Sequence, residues 1–207
     1  MTHFTVGIIV PGPQLPDLHS FIERQMAPYD ENLEIEPYVS YSLEKAEADL
    51  SRDRTRLERI IERQDATFDL DKCRQHLETL RGTTPEERYR EYLASHERFS
   101  DEGEPESTYN PDSKWDWYVI GGRWDGWLFD RKTTAETVSD NMTTTEDTLA
   151  RTKLTHAVVT PDGVWHEHGE MGWFGVMLSE NESWEPDQMS LLSRYPGHYI
   201  VLLDAHI

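Results

Sequence analysis

Four of the chain's seven tryptophans fall within the run NPDSKWDWYVIGGRWDGWL, Asn110 to Leu128, together with Lys114, Asp116, Arg123 and Asp125. Large rigid rings interleaved with charges suit a planar anion, with cations on the phosphate and indoles stacked on the base. Read as a strand, the segment alternates: Trp115, Trp117 and Val119 face one way, and Lys114, Asp116, Tyr118 and Ile120 the other. Gly121-Gly122 reads as a tight turn and Arg123-Trp124 as the start of a returning strand, so that Lys114 and Arg123 converge beside indole walls. The candidate ligand-binding set is therefore Lys114, Trp115, Asp116, Tyr118, Arg123 and Trp124. The plainer alternative is that most of these tryptophans are core and that Arg123 pairs with Asp116.

A second constellation joins the two ends of the chain. If the terminal strands lie side by side, His3 comes close to His206, and Asp204 shares a strand face with His206 through its i, i+2 spacing. Asp30 and Glu31 in the PYDEN turn complete a nitrogen and oxygen set suited to a divalent metal such as zinc, manganese or iron. No HExxH or cysteine-pair signature accompanies it, and histidines on terminal strands commonly bond a carbonyl instead. A third group, His166 and His168 in WHEHGEMGW with Glu167 and Glu170 nearby, can chelate a metal, supply a base, or sit in an exposed turn. The chain has no GxxxxGK[ST] loop, no GxGxxG and no GxSxG elbow, and the GGRW turn is too short to cradle a phosphate as those loops do.

The elements that must position these residues are legible from periodicity. His3–Val10 and His198–Ile207 are β-rich runs that look buried, and residues 154–159 and 163–165 form a hairpin around Pro161-Asp162-Gly163. A further short strand is expected at 172–178. Leu43, Ala46, Leu50, Leu57, Ile60 and Ile61 make the stripe of an amphipathic helix over 43–64. Further helices are predicted over 69–80 and 85–99, the last opening on Pro85 with acidic residues in its first turn. The expected fold is α+β in one domain over 1–207: a mostly antiparallel sheet formed by both chain ends, with a helical insertion over 41–99 and mobile loops over about 100–111 and 133–148.

Composition limits the partners. The formal net charge is −20, and residues 41–99, with 12 Lys and Arg against 14 Asp and Glu, carry only −2 of it. A surface so acidic repels duplex nucleic acid and anionic membrane, while a basic protein partner suits it. The ridge of Arg52, Arg54, Arg56, Arg59 and Arg63 reads as a solvated face paired with its acidic neighbours. A homodimer through residues 43–64 is an option, although apolar continuity fails at Asp53 and Arg54. The single cysteine, Cys73, excludes an internal disulfide, and neither a membrane span nor a secretory leader is legible, so a soluble, cytoplasmic protein is expected.

Taken together, THFTV at the start, APYDENLEIEPY, NPDSKWDWYVIGGRW, GEMGWFG and the closing DAHI resemble a family of uncharacterised bacterial, chiefly actinobacterial, and phage proteins. These motifs span nearly the whole chain, the tryptophan motif being the most specific, and the resemblance implies no activity. The chain departs from the pattern at Phe174, where the family pattern has Trp, and at Ala205, where it has Cys, which argues against cysteine chemistry at the C-terminus. Three functions from different classes follow. The first is a small-ligand binding protein for a nucleotide-like or phosphate-bearing anion, which in a phage setting sequesters a host signal. The second is a metal-assisted hydrolase built on His3, Asp30, Glu31, Asp204 and His206. The third is an acidic interaction or inhibitor protein imitating nucleic acid.

Overall fold

The β-branched, apolar run HFTVGIIV forms strand β1, His3–Val10, and the closing run forms a strand that pairs with it antiparallel along its full length, from His3 opposite His206 to Val10 opposite Tyr199. The computed structural model describes residues 2–64, 67–131, 137–169 and 181–207. In chain order the remaining elements are α1 (Leu18–Met26), β2 (Tyr38–Val39), α2 (Leu43–Arg63), α3 (Leu70–Gly82), α4 (Pro85–Ser95), β3 (Glu106–Ser107), β4 (Trp117–Ile120), β5 (Met142–Thr144), α5 (Thr145–Arg151), β6 (Ala157–Val159), β7 (Trp165–Glu167), α6 (Trp184–Leu192) and β8 (Tyr199–His206). The fold is α+β, with a mixed six-stranded sheet and a small two-stranded one formed by β2 and β3.

The chain divides into two compact units, one made of the residues up to Glu34 with those from Tyr109 onward, the other of Ile35–Thr108. In the first, the strand order is β4-β8-β1-β6-β7, and β5 also pairs with β8. All pairings are antiparallel except β1 with β6. One edge of β8 is thus covered by two short strands in succession, β4 against residues 203–206 and β5 against 199–201. The period-2 alternation of β1 and β8 sends side chains to two layers. Phe4, Val6, Ile8 and Val10 with Val201, Leu203 and Ala205 pack with the Leu18, Phe21, Ile22 and Met26 face of α1, while Ile9, Ile200 and Leu202 pack with Trp184, Leu191 and Leu192 of α6. His3, Thr5, Asp204 and His206 share the parity of Ile9, Ile200 and Leu202 and lie at the opposite end of that second face.

The second unit contains α2, α3 and α4, within the segment expected to be a helical insertion, and a side chain caps the start of each. Ser42, Asp69 and Thr84 accept from the third backbone N–H of their helices, and Thr84 with Glu87 forms a reciprocal capping box. Two residues of the arginine ridge have partners inside this unit. Arg52 pairs with Asp49 at 2.9 Å, and Arg54 donates to the carbonyls of Leu80 and Thr83 at the end of α3. α4 ends at Ser95, short of the expected residue 99.

Three expectations change. Gly121-Gly122 does not turn into a returning strand: the chain enters a 3-10 turn, Gly122–Trp124, and β4 pairs instead with β8. The expected loop over 133–148 holds β5 and the start of α5 from residue 142 onward, because Thr144 caps a helix whose buried residues are the short Thr145 and Thr148; residues 133–136 lie outside the described residues. The loop over 100–111 contains β3. The strand expected at 172–178 lies outside the described residues. No helix among the described residues is long and apolar enough to cross a membrane.

Candidate functional site

The cross-strand register of β1 and β8 brings His3 and His206 together, with ring centroids 5.1 Å apart at 77°. Each imidazole binds a carboxylate through Nδ1: His3 to Asp204 Oδ1 at 2.9 Å, and His206 to Asp116 Oδ1 at 2.7 Å. An ionised carboxylate only accepts, so each Nδ1 carries the proton and each Nε2 is the lone-pair atom of the neutral ring. No hydrogen bond to either Nε2 occurs among the described residues. The buried polar side-chain atoms lacking a partner there are Gln25 Oε1, Trp124 Nε1 and Gln188 Oε1, and the His3 and His206 side chains are 12 % and 7 % exposed. The site thus presents two parallel acid–base groups, each oriented by its own carboxylate.

Local sequence explains how the carboxylates arrive. Asp204 lies on β8 with its side chain only 2 % exposed, and its second oxygen accepts the Arg123 backbone N–H at 2.9 Å. That bond requires the chain to fold down onto the strand, which Gly121 (φ +75°) and Gly122 (φ +54°) permit. A Cβ on Gly122 would stand 2.5 Å from Asp204 Oδ2, and one on Gly121 would collide with the Asn141 amide. Asn141, fully buried, ties the excursion between β4 and β5 together, donating to Asp125 Oδ1 at 2.5 Å and to Thr137 O at 3.0 Å and accepting from Gly126 N. Asp116 stands just before β4, its backbone N–H donating to His206 O at 3.0 Å, and its side chain is 35 % exposed. Trp117, opposite His206 in the pairing, stacks on that ring at 5.2 Å and 15° and meets His3 edge-on at 5.2 Å, yet stays 42 % exposed.

The residues expected to bind a ligand divide accordingly. Trp115 is buried in the α1 layer, its Nε1 donating to Met26 O, and Trp124 packs with Trp127 against the α6 layer. Tyr118 is half-buried on the α1 side, its phenol pKa raised by burial and by Glu23 and Asp30. Lys114 does not converge with Arg123; it pairs with Glu167 Oε1 at 2.7 Å, and Glu167 also accepts from Trp165 Nε1. Nor does Arg123 pair with Asp116, which serves His206. The Arg123 side chain is exposed, with no ion pair among the described residues. Of that set, Asp116 bonds His206 and the Arg123 backbone N–H bonds Asp204, and Trp117, which the set leaves out, packs on both imidazoles. A cleft of about 530 Å³ follows the same strand, lined by His19, Ile22, Glu23, Tyr118, Val119, Ile120 and Val138, and neither imidazole lines it.

Of the five residues read as metal ligands, His3, Asp204 and His206 are brought together. Asp30 spends Oδ1 on the backbone and side-chain amides of Asn32, and its turn meets the β4 segment through backbone: Glu31 N donates to Trp115 O. No cluster of three or more His, Cys, Asp or Glu among the described residues is arranged to hold a metal ion. The third histidine group differs. His166 is half-buried on β7, and burial lowers its pKa; His156, between Phe4 and His168, is lowered chiefly by burial, with Glu167 opposing and His168 and Lys114 adding to the effect. Glu170 lies outside the described residues.

The pairing of His3, Asp204 and His206 could be read from two β-rich termini. The Asp116 partnership could not, since it depends on β4 choosing β8. Comparison with known protein families, with characterised proteins and with solved structures returns no match.

Proposed function

We propose that the protein binds a small, nucleotide-like anion at the His3–His206 pair, with the phosphate accepting from Arg123 and from the Nε2–H groups of the pair in its imidazolium form, and the base against Trp117. The observation that carries this reading is the pair of carboxylate-oriented imidazoles whose Nε2 atoms have no partner among the described residues, beside an indole 42 % exposed. Exposing a tryptophan next to two poised histidines is costly to packing and is explained by a ligand that covers it. The net charge of −20 opposes long polyanions far more than a ligand with one or two charges, which favours a small molecule over duplex nucleic acid.

The test is calorimetric and thermal titration with mononucleotides, cyclic nucleotides and dinucleotides. A ligand at a hundred times its dissociation constant adds roughly 2.7 kcal/mol to stability. The expected outcome is a response lost in Trp117→Ala and Arg123→Ala and kept in Lys114→Ala, whose cation is held by Glu167. Added salt separates this reading from an acidic interaction protein. Screening weakens attachment to a basic partner steeply, whereas it relieves the repulsion between an acidic protein and an anion. A protein that ignores every nucleotide but captures a basic protein at low salt would replace the pocket reading.

A further inference from the structure

Resting on the binding reading above, we propose that the site is also catalytic: His3 and His206 form an acid–base pair that hydrolyses a small nucleotide phosphodiester without a metal. Two imidazoles with centroids 5.1 Å apart can address different oxygens of a single tetrahedral phosphoryl group. Their Nδ1 atoms are fixed on Asp204 and Asp116, so both present Nε2, the atom that must exchange the proton, and each carboxylate stabilises the imidazolium that forms. In the step, the Nε2 of one ring takes a proton from a water molecule as its oxygen bonds to phosphorus. The P–O bond to the leaving group breaks with its electron pair on that oxygen, which takes the Nε2 proton of the other, protonated ring. The products are a phosphomonoester and an alcohol, and solvent returns the pair to its starting protonation. Water is the only co-reactant.

Charge selects the substrate class. A phosphodiester carries one negative charge and a monoester nearly two at neutral pH, so a protein of net charge −20 admits the first more readily and expels the second. The exposed guanidinium of Arg123, whose backbone N–H is anchored on Asp204, supplies the one cation the site needs for the phosphoryl oxygens. Trp117, stacked on His206, continues the aromatic surface on which a base lies.

The experiment is ³¹P NMR of the full chain in EDTA with a cyclic mononucleotide, a dinucleotide and bis(p-nitrophenyl) phosphate, alongside calorimetry with the same compounds. Monoester is expected to accumulate, and His3→Gln and His206→Gln each to slow it at least ~100-fold while changing affinity less than about tenfold. Circular dichroism checks both variants. If His206→Gln does not fold, Asp116→Asn, at a partly exposed positioning residue, is expected to lower kcat with KM unchanged. Binding heat without monoester in the wild type overturns catalysis and leaves the binding reading standing; no heat with any compound overturns both. Turnover that EDTA abolishes, or that His3→Gln leaves intact, contradicts a metal-free histidine pair.

Discussion

Two groups of histidines lie along the same sheet and have different partners. His3 and His206, at one end of the β1–β8 pair, each hold a carboxylate through Nδ1, and no hydrogen bond to either Nε2 occurs among the described residues. His156 and His166, on the β6–β7 side, are pressed toward the neutral form by burial. The difference teaches that residue type does not mark a chemical site; the partner of the second nitrogen does. Burial lowers the pKa of an imidazole, whereas a carboxylate on Nδ1 fixes which ring nitrogen a ligand would meet.

The comparison can be broken by exchange. His206→Gln is expected to lower the thermal stabilisation by nucleotide, from the roughly 2.7 kcal/mol given by a hundredfold excess over the wild-type dissociation constant to no less than about 1.4 kcal/mol, while His166→Gln keeps it whole. The reverse pattern would move the site to β7. Glycines sharpen the contrast next. Gly122→Ala puts a Cβ 2.5 Å from Asp204 Oδ2 at φ +54°, and is expected to cost about 2–3 kcal/mol in urea unfolding. Gly163→Ala, at φ +87° but 3.2 Å from the end of the flexible Gln25 side chain, is expected to cost only about 1 kcal/mol. Asp204→Asn weakens a buried charge-assisted bond to His3 and is expected to cost about 2 kcal/mol by the same measurement.

The legible part of the fold was the part with strong local signals. Periodicity and end signals marked α2, α3 and α4 in sequence, their N-caps are present in the structure, and alternation with turn residues marked β1, β8 and the β6–β7 hairpin. Helix α5 was illegible because what it buries, Thr145 and Thr148, is polar, and α6 because it spends a core position on Gln188, which bonds Thr155. The tryptophan motif misled in a more instructive way. Gly-Gly is equally suited to a hairpin and to a descent onto a neighbouring strand, and only long-range pairing of β4 with β8 decides between them. That pairing separates Lys114 from Arg123 and hands Asp116 to His206.

Two weaker effects complete the series. Because burial lowers the folded-state pKa of His156 and His166 below the ordinary value of 6.5, the unfolded chain binds more protons just under that pH. Their contribution is full above pH 6.5 and is lost as pH falls toward their folded values, so the melting temperature is expected to drop on acidification and to drop less in His156→Asn. A variant with an unchanged slope would remove burial as the cause. Lys114→Ala, which breaks a partly exposed pair with Glu167, is expected to cost less than about 1 kcal/mol and to leave nucleotide binding unaltered.

The most direct test of the central claim is a long-range ¹H–¹⁵N spectrum of the histidine rings, titrated with a cyclic mononucleotide. Nδ1-protonated tautomers are expected for His3 and His206, with the ligand-dependent shifts largest at their Nε2 atoms and with His156 and His166 unmoved. Shifts at His156 or His166 with His3 and His206 silent, or an Nε2-protonated tautomer at either member of the pair, would contradict that claim.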